Sequence, residues 1–275
     1  MRTIVHISDI HFGRTEASSI KMLLAAIETI HPHLVIISGD VTQRARKKEF
    51  EECREFLEGI KKAGILCMVI PGNHDIYPWH NPFLRVVRPF ARFKEYISPM
   101  IDPVYKDEEI AVASLTTVRA YALKNGSANG NETMKIAKWF SELPESLVKI
   151  VVTHHPLDLP AEHHERLLAR KAKEAIHLLT EAKADMYVSG HYHQSSSIHT
   201  IERYSESKYP AIAVQAGTVS VRQRKEGPSF NMITIDKPKL SIDTYILQEN
   251  SNAYEVSART SFEFKNNVWQ RGNKD

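Results

Sequence analysis

Five short segments of this chain gather aspartate, histidine and asparagine in arrangements that suit metal chemistry: Asp9-Ile10-His11, Gly39-Asp40, Gly72-Asn73-His74-Asp75, His154-His155 and Gly190-His191-Tyr192-His193. Imidazole suits zinc, iron and related ions, while carboxylate and amide oxygens accept harder ions such as manganese and magnesium. Four histidines (His11, His154, His191, His193), Asn73 and two aspartates (Asp9, Asp40) are too many donors for one ion. Divided between two ions, with one carboxylate shared, they make a sensible set. Two ions about 3.5–4 Å apart clamp both sides of an in-line phosphoryl displacement and bring the pKa of a water between them towards neutrality. Glycines beside three of the clusters let the backbone turn sharply under a crowded site.

Each cluster follows an apolar run that reads as a strand: residues 3–8, 34–38, 65–70, 148–153 and 186–189. Helical patterns at 18–30 and 47–62 separate the first three, and in the second of these Phe50, Cys53, Phe56, Leu57 and Ile60 share a face. This βαβαβ order predicts a largely parallel sheet. Sites in such sheets form beyond the carboxyl ends of the strands, so clusters scattered in sequence can meet. Residues 76–101, with Pro78, Pro82, Pro89 and Pro99, read as a helical insertion kinked or restarted near Pro89. A strand at 110–115, a Gly/Asn/Ser-rich loop at 124–131 and helices at 133–143 and 165–182 are expected next. Runs at 196–201, 211–215, 230–235 and 240–247 follow without a long helix, which suggests antiparallel strands completing a second sheet. The segment 222–225 reads as an exposed loop. One domain is expected over residues 1–248, with a cap-like insertion near 76–101 and a loose polar tail at 249–275.

The order Asp-x-His, Gly-Asp, Gly-Asn-His-Asp, His, Gly-His-x-His over residues 9–193 resembles the signature of the calcineurin-like metallophosphoesterases. The contexts ISDIHFG, SGDVTQ, PGNHD, THHP and SGHYH look most like its Icc-type bacterial branch, which includes 3′,5′-cyclic nucleotide phosphodiesterases. The resemblance implies an α/β (α+β) fold of two packed mixed β-sheets flanked by helices, a four-layer sandwich. It also implies two divalent metal ions: manganese, iron, zinc or similar. Asp9, His11 and His193 would hold one, Asn73, His154 and His191 the other, and Asp40 would bridge them. His74 would protonate or stabilise the leaving-group oxygen, with Asp75 orienting its ring. His154 is preferred to His155 because the family ligand lies two residues before a proline, here Pro156; His155 is left to support the ligands or face substrate. In one departure, many members carry Gly, Asn or Asp a few residues past Gly-Asp, where this chain runs Val41-Thr42-Gln43; Gln43 is not assigned to metal.

The implied activity is hydrolysis of a small phosphodiester by direct attack of a metal-activated water. A rival from the same family is a pyrophosphatase acting on UDP-2,3-diacylglucosamine in lipid A synthesis. A rival of another class is a binding module that kept the fold and lost the chemistry, against which the complete ligand set and the His74-Asp75 pair argue. No residue is assigned to substrate. Arg119 and Asn125, between the sheets, match no motif.

The remaining polar residues receive ordinary roles. His6 is expected packed in the first strand, His31 and His33 solvated beside Pro32, and His163 and His164 exposed. His177 belongs to a helix face and His199 to a strand. Arg85, Arg88 and Arg92 recur at spacings that place them on one helical face, near Phe83, Phe90 and Phe93. A solvated basic face over a packed aromatic one is the plain expectation. A cap gripping an anionic or amphiphilic substrate, or an interfacial helix, is the sharper one, and it requires the apolar face to be exposed. The run Arg44, Arg46, Lys47 and Lys48 reads as helix surface or a phosphate approach.

An apolar fraction of 42% and a charged fraction of 25% are those of an ordinary globular protein. A formal charge of +3 is too small to argue for nucleic acid, and no basic stripe with interleaved aromatics is present. Cys53 and Cys67, the only cysteines, are expected as buried free thiols, which favours a reducing compartment. No run approaches about 18 consecutive apolar residues, and the opening residues lack a signal-peptide pattern. A cytoplasmic location is expected, with peripheral membrane contact and oligomeric state open.

Overall fold

Alternating burial on short strands builds the architecture. In the computed structural model, β1 (Arg2–Ile7), β2 (Leu34–Ile37) and β3 (Leu66–Val69) are parallel neighbours, connected through α1 (Ala17–Ile30) and α2 (Lys47–Lys62). Successive strand side chains point to opposite faces. Ile4, Leu34, Ile36 and Met68 therefore enter one core, while Val5, Val35, Ile37 and Val69 enter another against Leu23, Ile27, Phe50 and Cys53 of the two helices. The structure describes residues 1–272 except 79, 123–124, 201–202, 205–208, 221–226 and 249. The segment 222–225 lies outside the described residues, as does part of the loop expected at 124–131.

The chain continues through α3 (Pro82–Val87), α4 (Ala91–Tyr96) and the short edge strand β4 (Val104–Lys106). A second parallel run follows: β5 (Ile110–Ser114), β6 (Val148–Val152) and β7 (Met186–Ser189), with α5 (Gly130–Ser141) and α6 (Ala172–Glu181) outside it. Then come β8 (Ser196–His199), β9 (Ile212–Gln215), β10 (Ser229–Asp236), β11 (Lys239–Gln248), β12 (Ala253–Lys265) and β13 (Val268–Arg271). One sheet has the order β13-β12-β11-β10-β1-β2-β3 and the other β4-β5-β6-β7-β9-β8. Val112, Ile150, Val152, Val188 and Val214 meet Ile4, Ile36 and Ile233 between the sheets. Val151 and Tyr187 turn the other way, onto Phe140, Ile176 and Leu179 of the outer helices. The result is the expected four-layer sandwich of two mixed sheets flanked by helices.

Several expectations need correction. β10 and β11 complete the first sheet, not the second, because β10 pairs antiparallel with β1 (Arg2 opposite Ile235). Residues 165–182 are not one helix. After a 3-10 turn at Glu165–Leu167 the chain is extended, and Arg170 exchanges backbone hydrogen bonds with Gly126 and Ala128 before α6 begins. Arg85, Arg88 and Arg92 do not share a face, because α3 ends before Pro89 and the helix restarts at Ala91. Arg85 is buried, whereas Arg88 is exposed.

The loose tail at 249–275 is also overturned. β12 pairs with β11 over most of its length, and β13 returns along β12. Most β12 side chains are exposed on both faces, so no apolar alternation marks it in the sequence. Its anchors are Phe262 and, on β13, Trp269, which is buried between the sheets and donates its indole N–H to Asp185 Oδ1 at 2.8 Å. Trp269→Ala is expected to lower the unfolding free energy by about 3–5 kcal/mol, as for other buried large-to-small changes. Urea denaturation measures this directly, and an unchanged midpoint would return these residues to a loose tail.

Candidate functional site

Loops leaving the carboxyl ends of β1, β2, β3, β6 and β7 meet at one rim, three from the first sheet and two from the second. Backbone bonds lace the first two together: Asp9 N–H to Gly39 O at 3.0 Å and His11 N–H to Asp40 O at 3.0 Å. Asp9, His11, Asp40, His191 and His193 all have φ between 51° and 72°, the left-handed region that non-glycine residues rarely occupy. Strain of this kind persists where the surroundings over-determine it, and it clusters at functional sites. The crowding is visible at Gly39 (φ 104°), where an added Cβ would lie 2.6 Å from His154 Nδ1. At Gly190 it would lie 2.5 Å from Asp9 Oδ2.

Asp9 and Asp40 are buried, and among the described residues the ion-pair partners of both are imidazoles alone. Each carboxylate spends one oxygen on an amide: Asp9 Oδ2 accepts from His191 N–H and Asp40 Oδ1 from His74 N–H, both at 2.7 Å. The other oxygens face ring nitrogens. Asp9 Oδ1 is 3.0 Å from His193 Nε2 and 3.7 Å from His11 Nε2, and Asp40 Oδ2 is 3.4 Å from His154 Nε2. His11 Nδ1 and His154 Nδ1 donate to the carbonyls of Thr42 (3.2 Å) and Ser38 (2.9 Å), so both rings present Nε2 inward. Asn73 Oδ1 lies 3.1 Å from His154 Nε2.

Burial holds the His11 and His191 rings neutral, down to about 4 and about 3. Burial opposes charge on His154 too, but Asp40, their hydrogen bond, Asp9 and the Ser38 carbonyl outweigh it and raise that ring to about 9. Burial likewise works against ionised Asp9 and Asp40, and the neighbouring imidazoles hold both well below the usual carboxylate range. A proton on His154 thus neutralises part of a buried double negative charge, and a bound cation releases such a proton. Ligand atoms of Asp9, His11 and His193 lie within 4.8 Å of one another, as do those of Asp9, Asp40 and His154, and of His154, His155 and His191. The donor set therefore fits divalent cations.

Asp75 does not orient His74 as expected. His74 Nδ1 lies 2.7 Å from the Gln43 carbonyl, which takes that role. The Asp75 carboxylate instead accepts from the N–H groups of Val41 (3.1 Å), Thr42 (2.8 Å) and Gly72 (2.8 Å) and from the Thr42 hydroxyl (2.8 Å), tying together the loops after β2 and β3. Burial, then the charge of Asp40, raises it to about 6 against those hydrogen bonds. His155 packs on His191 with ring centroids 4.5 Å apart, and its Nδ1 is 2.9 Å from Thr117 Oγ1. His163, expected on the surface, is half-buried and packs edge-on against Tyr192 at 4.9 Å. The sequence carried no signal for Thr117 or for the supporting carbonyls of Ser38, Thr42 and Gln43, since a carbonyl's role does not depend on residue type.

Beyond His74 opens a cleft of about 510 Å³, whose lining includes Asn73, Arg44, Arg46, Arg85 and Arg92 and, among the described residues, no carboxylate. Arg85 donates to the carbonyls of Ala120 (2.7 Å), Tyr77 (2.6 Å) and Ala122 (3.0 Å). Arg92 donates to Ala45 O at 2.6 Å and lies 4.8 Å over the Tyr77 ring. Arg119 and Asn125 are held by backbone carbonyls, of Thr116 and Val118 and of Arg166 respectively.

The chain belongs to the calcineurin-like phosphoesterase family, whose profile matches residues 2–195. It is 24% identical over 179 residues to the 3′,5′-cyclic adenosine monophosphate phosphodiesterase CpdA of Escherichia coli (strain K12), a match covering 62% of this chain and 59% of that protein. This chain thus spans less than two thirds of the length of that relative. A dimetal phosphatase from Danio rerio superposes with a TM-score of 0.64 at 12% identity, covering 88% of this chain and 95% of that one. The purple acid phosphatase PPD1 of yellow lupin gives 0.67 at 14% identity, covering 94% of this chain and 53% of that one. These two likenesses establish the fold. The family is described as one of phosphoesterases, and the buried donor groups of this chain suit divalent cations. Among the described residues no helix is long and apolar enough to cross a membrane.

Loaded with manganese and dialysed, the protein is expected to retain two ions per chain by elemental analysis, and Asp40→Ala to lose them. Full metal content in that variant would remove Asp40 from the centre.

Proposed function

We propose that this chain is a dinuclear phosphodiesterase acting on a small phosphodiester, with a 3′,5′-cyclic nucleotide as the leading substrate. One juxtaposition carries the reading. His74, bonded through its amide to the buried Asp40, also lines an arginine-rich cleft with no carboxylate among its described residues. In this proposal Asp9, His11 and His193 would hold one cation and Asn73, His154 and His191 the other, with Asp40 available to both. Two divalent cations held there would supply Lewis-acid charge and a water of lowered pKa. Arg44 and Arg46 draw the anion into the cleft. His74, its Nδ1 proton engaged by the Gln43 carbonyl, delivers a second proton from Nε2 to the leaving oxygen. Asp75 acts as a positioning residue, fixing the loops that carry Asp40 and Asn73. The preference for a diester is supported by the cyclic AMP phosphodiesterase relative, over the part of it that matches.

Manganese-loaded enzyme assayed on cyclic AMP, UDP-2,3-diacylglucosamine and a simple phosphomonoester tests the substrate class. The cyclic nucleotide is expected to be turned over fastest, and preference for the monoester would overturn the reading. His74→Ala is expected to cut kcat on cyclic AMP, whose alkoxide leaving group needs the proton, by about 10²–10⁴-fold with metal retained, the range for loss of a general acid. Inactivity of the unmutated protein with manganese, iron, zinc, cobalt and magnesium would support a binding module instead.

A second reading is favoured by one observation. Phe83, Val86 and Val87 on α3 are 72%, 65% and 56% exposed, next to the cleft residues Asn81 and Arg85. The Arg85 bonds to Ala120 and Ala122 tie to this helix the loop bearing Tyr121, itself 71% exposed. An acyl-bearing phosphodiester needs such an apolar rim beside a cationic cleft. If that is the substrate, the double change Phe83→Ser with Val86→Ser should raise KM for a lipid-linked diester about tenfold or more, the loss of roughly 1.4 kcal/mol. Hydrolysis of bis(p-nitrophenyl) phosphate should stay unchanged, and equal KM values on the lipid would remove this reading.

A further inference from the structure

β6 reads VKIVV, and its one charged residue stands where alternation calls for an apolar side chain. Val148, Ile150 and Val152 face the core between the sheets, so Lys149 points with Val151 towards the outer helices, where it is only 3% exposed. Its ammonium reaches a single carbonyl, Ala182 O at 3.3 Å, and no carboxylate pairs with it among the described residues. The nearby Asp185 is engaged elsewhere: it accepts from the Lys149 backbone N–H (2.7 Å), the Tyr209 hydroxyl (2.8 Å) and the Trp269 indole (2.8 Å). Lys149 lines a cavity of about 280 Å³ shared with Lys183, Lys237, Tyr209, Phe264 and Asn267, and with the carboxylates of Asp185 and Glu145.

The other two lysines are only partly occupied. Lys183 pairs with the exposed carboxylate of Glu145. Lys237 donates to the Glu145 backbone carbonyl at 2.7 Å and lies 4.3 Å over the Phe264 ring. Each ammonium has three N–H groups, so donors remain on all three. Burial lowers the Lys149 pKa; Asp185 and Glu145 oppose that, and Lys183 and Lys237 add to it. Capping the carboxyl end of α6 explains one lysine. It does not explain three lysines lining one cavity against two carboxylates, an excess of positive charge that a bound oxyanion would balance. Lys149 is near the start of β6 and His154 lies two residues past its end, five residues on and up to about 16 Å at ~3.3 Å per residue, so this cavity is separate from the metal centre.

We infer that Lys149, Lys183 and Lys237 form a second anion site, for a free phosphate ion or a phosphomonoester, at the pole of the sandwich opposite His74.

Equilibrium dialysis of the manganese-loaded protein with radiolabelled inorganic phosphate is expected to give two sites per chain. Lys237→Met, at a half-buried surface position, and Lys149→Met should each leave one site, with competitive inhibition of hydrolysis by phosphate unchanged. Adenosine monophosphate tested alongside shows which of the two sources is preferred, and lysine-dependent binding of either supports the site. A single phosphate per chain in the unmutated protein, unaltered by Lys237→Met, would overturn the inference and leave the hydrolytic reading untouched. Loss of catalysis in Lys237→Met in step with the loss of phosphate would also overturn it, by assigning the anion to the catalytic cleft. The Lys237 variant keeps the test decisive if Lys149→Met does not fold.

Discussion

Two buried carboxylates whose ion-pair partners, among the described residues, are all imidazoles organise one end of this molecule. Asp9 and Asp40 each give one oxygen to a backbone amide and turn the other towards histidine nitrogens. Ionised groups so placed are costly without countercharge. The surrounding structure is consistent with that demand. The rings of His11 and His154 are fixed by carbonyls behind them, the loops are laced by backbone bonds, and five of the residues involved are held in left-handed backbone. A fold that tolerates this much local strain needs a stable platform beneath it, and the sandwich provides one.

That platform is divided. Three of the loops leave the first sheet and two leave the second, so the spacing of the ligand atoms is set by how the two sheets pack. Ile4, Ile36, Ile150, Val152 and Val188, in the core between them, act as the spacer under the site. Interiors packed at crystal-like density transmit a change of one methylene. Substitutions there change the distance between the two halves of the centre even though no ligand is touched.

Four of the five parallel strands that lead into the site, with the donor residues beyond them, were legible because they obey a local rule, a short apolar run and then a glycine or an aspartate at the turn; β6 instead runs into His154. The helix over 47–62 was legible to its ends for the same reason, an apolar stripe closed by lysines. What escaped depended on distant partners. β12 is too exposed to alternate, and it exists because β11 offers an edge and Trp269 finds Asp185 and the inter-sheet core. The helix expected over 165–182 yields for four residues because Gly126 and Ala128 supply backbone partners from elsewhere. At the site, the donor side chains were readable as a set. The Gln43 carbonyl behind His74 was not, and chemical analogy pointed to Asp75, whose carboxylate is spent on amides.

The pairing of β1 carries a further consequence, for biosynthesis. β1 lies between β2, which follows within about thirty residues, and β10, whose Ile235 sits opposite Arg2. While the ribosome is still making the intervening two hundred or so residues, one edge of an apolar strand stays open, with its amides and carbonyls ready to template a stranger. Nascent chains of this topology are slow to close and vulnerable to aggregation until they do. Demand for chaperone shielding should therefore persist until β10 emerges and docks, and fall from then on.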